Sequence, residues 1–209
     1  MSAERAVDLE TEFGSIDIYV FDQLLRGRIN ARDRVFDAGC GWGRNLVYLL
    51  RAGIDVSGVD ADADAIAHVR GLAAQLAPAL AADRFRVESV EHPSFPEHSA
   101  TVVISSAVLH FARDDDEFDR MLAGSWRVLA PGGLWFCRLA STIGIERLVR
   151  RLGAAGRRYR LPDGTDRYLV DEAFLVDRTR ALGGQLLDPL KTTVVQDQRA
   201  MTTWVVRKT

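Results

Sequence analysis

The sequence predicts an α/β protein whose mostly parallel, doubly wound sheet lies between two layers of helices. Three observations carry that prediction. Short apolar runs alternate with longer stretches of helical spacing along most of the chain. One run, Thr101–Ser106, is apolar with almost no alternation, as a strand covered on both faces must be. The run Val35–Ala38 leads directly into Gly39, Gly41 and Gly43, and an apolar segment opens at Leu46. That order is strand, tight loop and first helical turn.

The elements follow in order. Residues 2–12 carry no strong pattern. Ile16, Tyr19, Val20 and Leu24 recur at helical spacing, which predicts an N-terminal helix over about 15–27. After the first strand a helix spans about Asn45–Arg51, stopped by Gly53. Asp55–Asp60 is the second strand and ends in an acid. Asp62–Leu76 is alanine-rich and helical, with Asp62 able to cap it. Phe85–Val90 is the third strand and Thr101–Ser106 the fourth. Asp114, Asp115 and Asp116 mark the start of a helix carrying Phe118, Met121, Leu122 and Trp126. Ala130-Pro131-Gly132-Gly133 stops it before a fifth strand, Leu134–Leu139. The lid-like stretch over about 141–170 predicts a helix, Ile145–Leu152, and a hairpin around Pro162-Asp163-Gly164. A helix over Asp171–Leu182 and strands Leu186–Val195 and Met201–Val206 complete the chain.

With 209 residues, 47% apolar and 27% charged, the chain is expected to form one globular domain over 1–209. No apolar run reaches the roughly 18–20 residues of a membrane span, and no signal-peptide pattern opens the polar N-terminus, so the expected location is cytoplasmic. Two cysteines, Cys40 and Cys137, make neither a disulfide framework nor a zinc site, and no metal is expected. A net charge of −2 gives no global field toward nucleic acid or membrane. Apart from Lys191 and Lys208 every basic residue is arginine, which weakens inference from any single arginine.

The glycine loop sets the chemistry. Glycine accepts positive φ and lets a ligand lie against the main chain. The register is G-x-G-x-G, so it is not the dinucleotide fingerprint G-x-G-x-x-G, whose third glycine position holds Arg44. About 20 residues further on, Asp60 is placed to accept hydrogen bonds from two ribose hydroxyls, or else to cap the following helix.

The string Asp37-Ala-Gly-Cys-Gly-Trp-Gly-Arg-Asn45 resembles the first motif of class I S-adenosylmethionine-dependent methyltransferases. The segments Ser105-Ser-Ala-Val-Leu-His-Phe111 and Arg127-Val-Leu-Ala-Pro-Gly-Gly-Leu-Trp-Phe136 resemble two further family segments. The likeness is to methyltransferase-domain 11/25-type proteins, with some similarity to tellurite-resistance-type enzymes. It implies a Rossmann-like sheet of seven strands in the order 3-2-1-4-5-7-6, the last antiparallel. It also implies S-adenosylmethionine as cofactor, S-adenosylhomocysteine as product, and a small-molecule acceptor.

In this likeness Asp37 faces the methionine ammonium and Gly39, Cys40 and Gly41 give backbone contact. Asp60 holds the ribose, and Asn45, Ala61 and Ser105 complete the cofactor set. Ser89, or the main chain of Val90, meets adenine where relatives carry an acid. His110 stands where a general base would act if the acceptor must lose a proton, or else forms pocket wall. Tyr19, His110 and Arg138 are the acceptor-side candidates. Seven arginines between Arg147 and Arg167 form a basic lid or a solvated face. No N-P-P-[YF] string follows the fourth strand, which argues against nucleic-acid bases as substrate. Two other readings compete: a protein that binds S-adenosylmethionine or S-adenosylhomocysteine without transfer, as sensor or scaffold, and a nicotinamide oxidoreductase. The oligomeric state is open.

Overall fold

The computed structural model describes residues 8–209; the first seven residues of the polar N-terminal stretch lie outside the described residues. Two short helices come first, α1 (Leu9–Phe13) and α2 (Ile18–Leu25). The pattern predicted only the second. Alternation then runs β1 (Arg34–Ala38), α3 (Val47–Arg51), β2 (Asp55–Asp60), α4 (Ala63–Leu76), β3 (Phe85–Val87), β4 (Ala100–Ser106), α5 (Asp115–Val128) and β5 (Leu129–Ser141). Three short strands follow, β6 (Arg150–Arg151), β7 (Arg158–Arg160) and β8 (Asp166–Tyr168). The chain ends with α6 (Glu172–Ala181), β9 (Gly184–Leu186), β10 (Lys191–Val195) and β11 (Arg199–Lys208).

The main sheet has the order β10-β11-β5-β4-β1-β2-β3, and β9 also pairs with β11. The links β3-β2-β1-β4-β5 are parallel, while β11 runs antiparallel to β5. With β9 and β10 counted as one interrupted strand, this is the expected order 3-2-1-4-5-7-6. The interruption falls at residues 187–190, where Pro189 has no N–H for a ladder.

Alternation along each strand feeds two cores. Val35, Val56, Val102, Ile104, Leu134, Phe136 and Val205 face α2, α3 and α4. Their neighbours Phe36, Val103, Trp135, Cys137 and Trp204 face α5 and α6. Because side chains point to opposite faces in turn, a strand apolar at every position must be covered on both sides. At the centre of the second core the Trp135 and Trp204 rings meet edge-to-face at 4.5 Å.

Four expectations need correction. The Ala130-Pro131-Gly132-Gly133 segment lies within β5 rather than before it. Between Ala100 and Val102 of β4, the paired residues of β5 advance from Leu129 to Leu134, so this segment is a bulge, with Gly132 at φ +76°. β3 stops at Val87, short of Val90. α3 begins at Val47 and has only five residues.

The expected helix Ile145–Leu152 is absent; its last residues form the edge of the sheet β6-β7-β8. Arg147, Arg150 and Arg151 would stack like charges at helical spacing, and an eight-residue helix between Gly144 and Gly153 nucleates poorly. The predicted hairpin forms as β7 and β8. This small sheet is anchored by Tyr168, fully buried and stacked on Phe118 at 4.7 Å, and by a core of Ala140, Ile145, Leu161, Leu169 and Ala200.

Candidate functional site

The sheet order reverses at β1, where β2 lies on one side and β4 on the other, and connections diverge to opposite faces. A crevice at the carboxyl ends of these strands follows from that topology. It holds a cavity of about 510 Å³ lined by residues from 39–45, 60–61, 89–91, 106–108 and 111, with Glu117 and Met121 of α5.

The glycine loop is fastened to the end of β2. The N–H groups of Gly39 and Cys40 both donate to the Val59 carbonyl, at 2.9 and 3.0 Å. The Gly41 N–H donates to Asp60 Oδ2 at 2.8 Å, and the Asp62 N–H to Asp60 Oδ1 at 3.0 Å. A carboxylate has about four acceptor sites, so each oxygen of Asp60 keeps one for a ligand. Capping of α4 falls instead to Asp62, which accepts from Asp64 and Ala65. Gly39 has φ +82°, and a Cβ there would lie 2.5 Å from the Val108 side chain; no other residue fits. At Gly41 the same atom would meet nothing within 4 Å, which leaves the main chain bare toward the cavity.

Asp37 lies beneath this loop and is wholly buried, and its Oδ2 has no hydrogen-bond partner among the described residues. Burial first, and then the charge of Asp60, push its carboxyl up to about 7, while Arg44 opposes them. An unpartnered buried carboxylate is costly, and a cationic ligand group would relieve it.

Of the expected cofactor residues, Gly39, Cys40, Gly41, Asn45, Asp60, Ala61, Ser89 and Val90 line the cavity. Asn45 also accepts from the Asp17 N–H at 3.0 Å. The hydroxyl of Ser89 accepts from the Glu91 N–H, and neighbouring Glu88 is engaged by Ser94. Ser105 does not line the cavity. It stands in register with Cys137, its hydroxyl is buried, and Ser106 takes the wall position; one step along a strand changes the face.

A second cavity of about 300 Å³ adjoins the first, and Arg44, Ala107 and Phe111 line both. Ala107 has φ +64°, a rare conformation for a residue with a side chain, and its N–H donates to the Arg138 carbonyl at 2.7 Å. His110 and Arg138 line this second cavity; Tyr19 lines neither. The Tyr19 hydroxyl is 2.6 Å from Thr193 Oγ1, and the Arg138 guanidinium lies over its ring at 5.4 Å. His110 is buried and its Nδ1 accepts from the Ala140 N–H at 3.2 Å, so the neutral ring carries its proton on Nε2. Burial, then Arg167, Arg138 and Arg199, hold it down at about 3. Such an imidazole is a hydrogen-bond donor at neutral pH rather than a base.

Of the seven arginines between Arg147 and Arg167, only Arg167 lines the cavity. Arg157 pairs with Asp171, Arg160 with Asp166, and Arg158 donates to the Ala112 carbonyl.

The sequence reading missed Asp17. It caps α2 by accepting from the Tyr19 N–H. Its buried Oδ2 accepts from Ser106 Oγ at 3.1 Å and pairs with Arg138 and Arg44, each at 3.2 Å. An aspartate just before an amphipathic helix was a legible cap signal; its link to the far end of β4 and to β5 was not. Among the described residues no three His, Cys, Asp or Glu side chains cluster as a metal site, and no helix is long and apolar enough to cross a membrane.

Residues 35–133 match the model of a methyltransferase domain family. Among solved structures, the chain is similar to 1,6-didemethyltoxoflavin-N1-methyltransferase of Burkholderia thailandensis, determined with 1,6-didemethyltoxoflavin and S-adenosylhomocysteine bound. Identity is 20%, coverage is 97% of this chain and 81% of that one, and the TM-score is 0.70. The PH0226 protein of Pyrococcus horikoshii is similar at 18% identity over 98% and 97% of the two chains, with a TM-score of 0.69. The [4+2]-cyclase SpnF is similar at 17% identity over 90% and 80%, with a TM-score of 0.68. No curated protein matches the sequence.

Proposed function

We propose that the chain, whose residues 35–133 match a methyltransferase domain family, is a class I S-adenosylmethionine-dependent methyltransferase that transfers a methyl group from S-adenosylmethionine to a small-molecule acceptor. When bound, the cofactor supplies an already activated sulfonium methyl; the chain's residues have to bind, orient and exclude water. The observation that carries the proposal is the fastening of Asp60 to Gly41, beside Asp37, whose buried Oδ2 lacks a hydrogen-bond partner among the described residues.

In this reading Asp60 accepts the two ribose hydroxyls with its free lone pairs. Asp37 faces the methionine ammonium through the loop. The bare main chain of Gly39–Gly41 gives close approach, with Asn45 and Ala61 beside it. Ser89 or the Val90 main chain meets adenine, and Met121 supplies apolar wall. The acceptor sits in the second cavity, entered past Ala107, with Arg138 in its wall and Tyr19 behind Arg138. His110 donates from Nε2 and positions the acceptor. Rate enhancement then comes chiefly from alignment of the two reactants, worth up to about 7–11 kcal/mol in well-oriented systems. The whole chain works as one domain, with 141–170 covering the acceptor side.

The test is calorimetric titration with S-adenosylhomocysteine, followed by methyl transfer from labelled S-adenosylmethionine to an acceptor panel. Saturable binding with turnover supports the proposal. A flat titration overturns it, and tight binding without transfer to any acceptor moves the reading to a sensor or scaffold.

A further inference from the structure

We propose that the second cavity is built for an acceptor bearing a carboxylate or similar oxyanion; the inference rests on the cofactor reading of the first cavity. Four arginines line it, each delivered by a different part of the chain: Arg44 by the glycine loop, Arg138 by β5, Arg167 by β8 and Arg199 by β11. An arginine-rich composition puts guanidinium groups on the surface everywhere, but it does not bring four of them from distant segments onto one hollow of about 300 Å³.

The charges there are incompletely answered. Arg44 and Arg138 share one oxygen of Asp17. Arg138 Nε is buried without a hydrogen-bond partner among the described residues. Arg167 lies over the Phe111 ring at 4.9 Å, and its one hydrogen bond goes from Nη1 to the Asp166 carbonyl at 2.8 Å. The Arg199 side chain has no hydrogen bond or ion pair among the described residues, its backbone being paired with Val195 in the β10–β11 ladder. The single lining acid, Asp163, accepts from Thr165 N and Oγ1 at 2.9 and 2.6 Å.

The cavity therefore presents a surplus of forked N–H donors, with the Nε2–H of His110 among them, and few acceptors. Guanidinium forks match carboxylate and phosphate oxygens in pairs, and the one buried donor among them, Arg138 Nε, needs a partner. An anion held there places the rest of a small acceptor at Ala107, where the two cavities meet.

The test titrates protein saturated with S-adenosylhomocysteine using matched probes: benzoate against benzamide, phenylacetate against phenylacetamide, succinate against succinamide. At least one acid is expected to bind about tenfold more tightly than its amide, as a charge-assisted contact implies. In Arg167→Gln/Arg199→Gln that ratio should fall to about twofold or less, with affinity for S-adenosylhomocysteine unchanged within about twofold. Should the double variant not fold, Arg199→Gln alone, at an exposed position, should lower the ratio by about threefold. Amides that match their acids, a ratio that survives the replacements, or an absence of acid binding to the wild-type complex would each overturn the inference. A flat titration with S-adenosylhomocysteine, seen before any probe is added, overturns the cofactor reading instead.

Discussion

The two adjoining cavities share Arg44, Ala107 and Phe111, yet their charges are opposite. The first carries Asp60, Glu91 and Glu117 against Arg44, with Asp37 buried behind the loop. The second carries four arginines against Asp163. The first suits a cationic ligand and the second an anionic one, so one shared wall separates partners that attract each other. Under the proposed function, charge would sort cofactor from acceptor without a dedicated domain.

The comparison breaks most visibly at Asp60. Asp60→Ala should weaken S-adenosylhomocysteine binding by about 100-fold or more, since two hydrogen bonds to a charged acceptor are lost at about 1.5–3 kcal/mol each. Asp60→Asn, which keeps one acceptor oxygen, should lose less; equal affinities in calorimetry would put the cofactor elsewhere.

Next in size is Gly39→Ala. Its φ of +82° and the Val108 side chain 2.5 Å from the new Cβ predict a loss of about 1–3 kcal/mol in urea unfolding. Val108→Ala in the same chain should recover the steric part but not the backbone part.

The two titratable groups sharpen the comparison because they act with opposite sign. Asp37 is raised to about 7 from 3.8. Its contribution to apo stability is full below about 4 and is lost as pH rises through about 7. Asp37→Asn should therefore stabilise the apo protein at pH 8 while weakening the cofactor product. If Asp37 meets the ammonium, S-adenosylhomocysteine binding near pH 6.5 should release a proton, read from enthalpies in buffers of different ionisation heat. His110 is lowered to about 3 from 6.5. Its contribution is present above about 6.5 and is lost as pH falls toward about 3, so His110→Gln should flatten the acid limb of the melting curve.

The smallest effect expected is on turnover. With a donor at Nε2, His110→Gln should cost less than about tenfold in kcat, below the usual contribution of a general base. The kcat profile should also show no ionisation near 6.5 that disappears in the variant.

The first cavity was legible because it is local: strand, glycine loop, second strand and terminal acid lie within residues 35–60, and topology sets them at the sheet's switch point. Ser105, expected in the cofactor set, lies one position behind the cavity-lining Ser106, because periodicity fixes a strand better than its phase at the last residue. Of the second cavity, His110, Arg138 and Arg167 were named from the sequence, but their assembly with Arg44 and Arg199 was not legible. Arg44, Arg138, Arg167 and Arg199 are separated by stretches that carry no shared pattern, and only the pairing of β11 with β5 and the docking of β8 bring them together. The helix expected over Ile145–Leu152 failed for a related reason. Its apolar spacing was helical, but its flanking glycines and clustered arginines favoured pairing with β7. That both faces of the main sheet are covered was readable from the apolar run in β4, whereas its strand order was expected only from the family resemblance.

A crystal structure with S-adenosylhomocysteine bound tests the central claim most directly. The account predicts both ribose hydroxyls within hydrogen-bond distance of Asp60 and the sulfur directed past Ala107 toward the arginine-lined cavity. A ligand whose ribose lies away from Asp60, or whose sulfur points away from that second cavity, would contradict it.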